Sequence, residues 1–69
     1  MTFTEKSHTT PNYYISMEFT VRHGTPVYIV RACPIFGGIC GHPERETAYP
    51  ASEKKKAAAT FSRYKRKYI

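Results

Sequence analysis

Acidic residues are scarce in this chain. Five Glu or Asp stand against eleven Lys or Arg, a formal net charge of +6 over 69 residues. Long apolar runs are absent: nothing approaches the ~18 residues that a membrane-spanning helix needs. The polar start Met1-Thr2-Phe3-Thr4-Glu5-Lys6 also lacks the basic-then-apolar order of a secretion signal. These absences set the expectation of a cytoplasmic protein with no membrane partner. In that compartment the two cysteines are expected as thiols or metal ligands rather than as a disulfide. Motifs of catalysis are missing too. No Gly-Lys-Ser/Thr follows Gly37, Gly38 and Gly41, and Ser52, His23 and Glu18 form no nucleophile elbow or carboxylate pair. A chain this short has no room for a deep cleft backed by a second layer of scaffold, so the expectation is a protein that is not an enzyme. Folding buries only about 60% of the unfolded surface at this size, so a homodimer, a metal or a partner is expected to contribute stability.

What is present is globular in character. Hydrophobic residues make up 41% and aromatics 14%, six of them tyrosines, too much apolar surface for a solvated tail. The charge has an address. Between Ala51 and Ile69 seven cations (Lys54, Lys55, Lys56, Arg63, Lys65, Arg66, Lys67) face one acid, Glu53, so the first fifty residues balance to neutral.

That terminal segment is patterned as a helix. At about 100° per residue, Ala57, Phe61, Tyr64 and Tyr68 fall on one stripe with Ala58 at its edge, while Lys55, Lys56, Ala59, Arg63, Arg66 and Lys67 take the other side. Alanine, lysine and arginine are strong helix formers. Pro50 suits the first turn, with Ser52 or Thr47 as the N-cap. Glu53 and the cluster Lys65, Arg66, Lys67 complement the helix dipole, whereas Lys54 to Lys56 oppose it.

Upstream, Tyr13, Ile15, Met17, Phe19 and Val21 alternate with Tyr14, Ser16, Glu18, Thr20 and Arg22, the period of two of a half-buried antiparallel strand. Arg22 to Pro26 supplies a turn around Gly24, and Val27 to Cys33 returns as a central strand that Pro34 ends. The Gly-rich stretch Ile35 to Pro43 reads as a loop or wide hairpin connection, and Glu44 to Tyr49 as a third short strand. The expected fold is therefore α+β, a two- to three-stranded antiparallel sheet packed against one C-terminal amphipathic helix. Residues 1–11, Thr-rich and polar, are expected as a flexible arm and residues 12–69 as one small domain.

Two sets of residues offer chemistry. Cys33, Cys40 and His42 surround the Gly-rich loop, and His23 at a hairpin tip would complete a four-ligand zinc site; the competing reading makes Cys33 a small core residue and the others loop residues. The second set is the cationic helix face, Lys55, Lys56, Arg63, Arg66 and Lys67. Aligned cations neutralise phosphates with no demand on spacing beyond a shared face, although a basic face also serves plain solvation. Ser52 and Lys54 to Lys56, followed by alanines, resemble the C-terminal half of double-stranded-RNA-binding domains, without that family's leading helix. The sheet-then-helix layout is similar to the arm-binding domains of phage-type integrases. Both resemblances imply nucleic-acid binding. The expected function is thus a small nucleic-acid-binding protein, DNA or RNA, using the helix face on phosphates. The alternative is a phage- or mobile-element-type inhibitor or adaptor that docks the same face on an acidic protein surface.

Overall fold

The computed structural model describes residues 2–68. Five strands and one helix follow in order: β1 (Phe3–Thr9), β2 (Tyr13–Arg22), β3 (Thr25–Phe36), β4 (Ile39–Cys40), β5 (Arg45–Pro50) and α1 (Lys54–Lys67), with a 3-10 turn over Ala51–Glu53 leading into the helix. All strand pairs are antiparallel; the order is β1-β2-β3, with β4 and β5 both on the far edge of β3. The α+β arrangement is the expected one, with more strands than the two or three that the sequence suggested.

Local chemistry sets the β2–β3 hairpin. Arg22 pairs with Thr25, leaving His23 and Gly24 as a two-residue connection, and both have positive φ (52° and 78°). Positive φ at both central positions is the demand of a type I′ turn, whose twist matches that of the strands. Gly37 and Gly38 (57° and 84°) repeat the device between β3 and β4. The loop expected over Ile35 to Pro43 is therefore a tight hairpin at its start.

Pro34 does not end β3. It pairs with Tyr13, and its carbonyl accepts the Gly41 N–H at 2.8 Å, while Ile35 donates to the Asn12 carbonyl on the opposite side. In an antiparallel strand the N–H and C=O of one residue point the same way. The donor-less nitrogen of Pro34 thus faces the gap between β4 and Arg45, the first residue of β5, where a missing N–H leaves no partner unpaired.

Residues 1–11 are not an arm outside the domain. Phe3–Thr9 pairs with β2, with a bulge at Glu5 between Thr4 and Lys6. Its seven side chains are all exposed. Met1 and Ile69, the outer ends of the expected arm and domain, lie outside the described residues.

The core lies between one face of the sheet and α1. Register places Ile15 beside Ala32, Met17 beside Val30 and Phe19 beside Tyr28. Ala57, Phe61, Tyr64 and Tyr68, the four residues of the expected stripe, are all buried on that face. Two hydroxyl pairs fasten the helix to β5: Thr47 to Tyr64 at 2.9 Å and Tyr49 to Thr60 at 2.6 Å. The Tyr68 ring contacts those of Tyr13 and Tyr64, at 5.1 and 5.6 Å between centroids. Neither expected cap forms: the first residues of α1 receive no side-chain cap, Ser52 sits inside the 3-10 turn, and Thr47 is occupied by Tyr64.

The opposite face carries no helix. Arg31 lies there between Glu18, at 2.9 Å, and Glu46, with Arg22 3.9 Å from Glu46. On this face Ser16 and Ile29 are as buried as the core. Among the described residues no helix is long and apolar enough to cross a membrane.

Candidate nucleic-acid interface

The helix divides its side chains as its periodicity demands. With 14 residues, α1 extends about 21 Å. Its outward side carries Lys55, Lys56, Ala59, Ser62, Arg63, Lys65, Arg66 and Lys67, all exposed. Small residues at Ala59 and Ser62 split the cations into two groups: Lys54 to Lys56 near the N-terminus and Arg63 to Lys67 near the C-terminus.

Internal neutralisation reaches only the first group. Lys56 Nζ lies 3.0 Å from Glu53, and Lys54 Nζ lies 3.9 Å from Glu5 in the bulge of β1. Both pairs offset the unfavourable placement of positive charge at the helix start. Each is partly exposed and adds little to stability, about 0–1 kcal/mol. Among the described residues Lys55, Arg63, Lys65, Arg66 and Lys67 pair with no acid. Three cations lie over rings, Lys54 in addition to its acid: its Nζ sits 5.9 Å from the Tyr28 centroid, that of Lys65 5.6 Å from Phe61 and that of Lys67 5.5 Å from Tyr68. Their stems lie along the aromatic edge of the core and their charges stay in solvent.

Of the five cations expected to form the site, the structure places Lys55, Lys56, Arg63, Arg66 and Lys67 on one exposed surface, with Lys56 tied to Glu53. Lys65, which the helical pattern assigned to neither side, is exposed as well. The sheet tyrosines Tyr14 and Tyr28 lie on opposite faces: Tyr14 is half-buried on the open sheet face, and Tyr28 is buried under the helix against Phe19, 5.2 Å between centroids.

The zinc constellation does not assemble. His23 lies at one end of β3, in the turn before Thr25, while Cys40 pairs with Ile35 near its other end. Ten residues of extended strand hold them roughly 33 Å apart. Among the described residues no group of three or more His, Cys, Asp or Glu is placed to hold a metal ion. Both cysteines are free; burial, and secondarily the neighbouring Cys40, push the Cys33 thiol above its ordinary range, with Arg31 acting the other way.

Beside α1's C-terminal end lies a feature the sequence did not announce. An open groove of about 530 Å³ runs between the β1–β2 connection and the β3–β4 hairpin, lined by Asn12, Tyr13, Pro34, Phe36, His42 and Glu44 among others. Glu44 raises the Tyr13 phenol above its ordinary range by hydrogen bonding, with desolvation adding to it. Its walls come from three separate stretches of chain, which no local pattern connects. Comparisons with protein-family models, with curated proteins and with solved structures found no match to this chain.

Proposed function

We propose that the protein is a non-enzymatic nucleic-acid-binding module that lays the outward side of α1 against phosphates. The observation that carries this reading is the contrast within one helix: every large ring is turned into the core, while Lys55, Arg63, Lys65, Arg66 and Lys67 stand in solvent without an acidic partner among the described residues. Concentrated on one ridge, these cations raise the local potential and displace condensed counterions from a polyanion. Arg63 and Arg66, with planar forks suited to bidentate phosphate contact, carry more of it than the lysines.

Fluorescence anisotropy with labelled DNA and RNA tests this directly. Binding of about micromolar affinity or tighter is expected at low salt, with log K falling against log salt at a slope of roughly −4 for five phosphate contacts. No binding to DNA or RNA at low salt ends the proposal. A second reading, an adaptor or inhibitor on an acidic protein surface, draws on the same cations and on the exposed apolar Phe3 and Val21, 58% and 51% accessible. A defined protein partner that survives nuclease treatment and competes with oligonucleotide for Arg63 and Arg66 would favour it.

A further inference from the structure

Among the described residues the two most accessible large apolar side chains sit together. Phe36 and Ile39 are 70% and 73% accessible and face each other across the Gly37–Gly38 turn. A hairpin tip solvated in isolation gains nothing from such a pair, since each exposed apolar group adds an unfavourable contact with water. The Phe36 ring is nevertheless braced. A Cβ on Gly41 would stand 3.4 Å from Cε2 and 3.5 Å from Cδ2, so the ring lies close against the Gly41 backbone with most of its surface left bare.

That bare surface belongs to the groove. Phe36 and Pro34 give it apolar wall, and Asn12, His42 and Glu44 give it polar groups. The charge stands beside it: Tyr13, which lines the groove, packs on Tyr68 at 5.1 Å between centroids, and the Lys67 ammonium stands 5.5 Å from the Tyr68 centroid. An aromatic face, hydrogen-bonding groups around it and free cations one ring away match the three parts of a nucleotide: flat base, polar base edge and phosphate. Single-strand binding sites are built from these same elements.

We infer that this groove holds one unpaired base of the nucleic acid, stacked on Phe36 and flanked by Ile39, while Arg66 and Lys67 take the adjoining phosphates. The inference rests on the nucleic-acid reading above and narrows it to strands with unpaired bases. A bilayer is the poorer match. Its anionic headgroups would meet the Glu44 carboxylate at the rim, and a tip built for insertion would not carry Asn12, His42 and Glu44 around its apolar pair.

The chain has no tryptophan, so Phe36→Trp gives a sole indole reporter at the proposed stacking position. Titration of this variant with single-stranded oligothymidylate is expected to quench indole fluorescence by about half, since the indole stacks as phenylalanine does. Dextran sulfate, which carries charge but no bases, should bind without quenching. In the otherwise unaltered chain, Phe36→Ala with Ile39→Ala should weaken single-strand affinity by about ten-fold or more, with duplex affinity changed less than about two-fold. Circular dichroism should show both variants folded, because the altered side chains are exposed. Oligonucleotide bound with no quenching and with undiminished affinity in the double variant overturns this inference and leaves the helix proposal standing. Absence of all nucleic-acid binding removes both. An indole that shifts to the blue on phosphatidylglycerol vesicles while ignoring oligothymidylate assigns the tip to a membrane instead, and also overturns it.

Discussion

The two sides of α1 are built by opposite rules. Inward, Ala57, Thr60, Phe61 and Tyr64 are at most 4% exposed, and both hydroxyls have partners on β5. Outward, the side chains are exposed, and most of their charges are unopposed among the described residues. Inward positions are held by volume and by satisfied hydrogen bonds, so a change there registers as lost stability. Outward positions are held by no more than an exposed ion pair or the edge of a ring, so a change there should leave the fold intact and register mainly when a partner is present. On the proposed function, the two sides separate folding from recognition within 14 residues.

The hardest blow to the inner side is Phe61→Ala. It opens a cavity against Ala57 and the sheet, and a loss of about 3–5 kcal/mol is expected in denaturant unfolding, enough to unfold a domain this small. A loss below about 1 kcal/mol would mean the helix is not the lid of this core. On the outer side, Arg63→Ala with Arg66→Ala should cost about ten- to a hundred-fold in nucleic-acid affinity at low salt. The same pair should make the salt slope shallower by about 2 and move unfolding by less than about 0.5 kcal/mol. An equal loss of affinity and stability would erase the distinction between the sides.

Smaller effects sharpen it. Tyr64→Phe removes one member of the hydroxyl pair with Thr47, and about 1–2 kcal/mol of stability should go with it. Lys56→Ala, which breaks only the exposed pair with Glu53, should change stability by about 0.5 kcal/mol or less. The cysteines make the same point by kinetics. Cys40 is exposed, whereas Cys33 is partly buried with its thiol pushed upward. A raised thiol pKa means less thiolate at neutral pH, so iodoacetamide should label Cys40 first and Cys33 more slowly. That gap should narrow as pH rises through the Cys33 value.

Legibility in the sequence followed burial. The alternation from Tyr13 to Val21 and the stripe Ala57, Phe61, Tyr64, Tyr68 are visible because one side of each element is apolar and packs in the core while the other is polar, and the turn at Gly24 is visible because glycine accepts positive φ. Strand β1 was invisible for the same reason: an edge strand with seven exposed side chains carries no period of burial, and its backbone pairing with β2 leaves no mark on residue choice. Thr60 was passed over because a lone hydroxyl on an apolar stripe reads as a boundary residue until Tyr49 is seen beside it. Pro34 misled because its rule concerns a missing donor, and whether that donor was needed depends on which neighbour ends where. The Glu18–Arg31–Glu46 network depends on register across three strands, which spacing within any one of them does not encode.

By itself, the sequence determined an α+β domain whose final segment coils with its rings inward and its charge outward, because helical and strand periods are local and need only the chain's own geometry. Tertiary structure decided what local periods cannot: that the Thr-rich start joins the sheet, that His23 stands a strand's length from Cys40, and that Asn12, Phe36, His42 and Glu44 meet around one groove beside the cationic end of the helix. Those relations arise from pairing between distant residues, where the free energy of contact depends on neighbours that sequence order does not name.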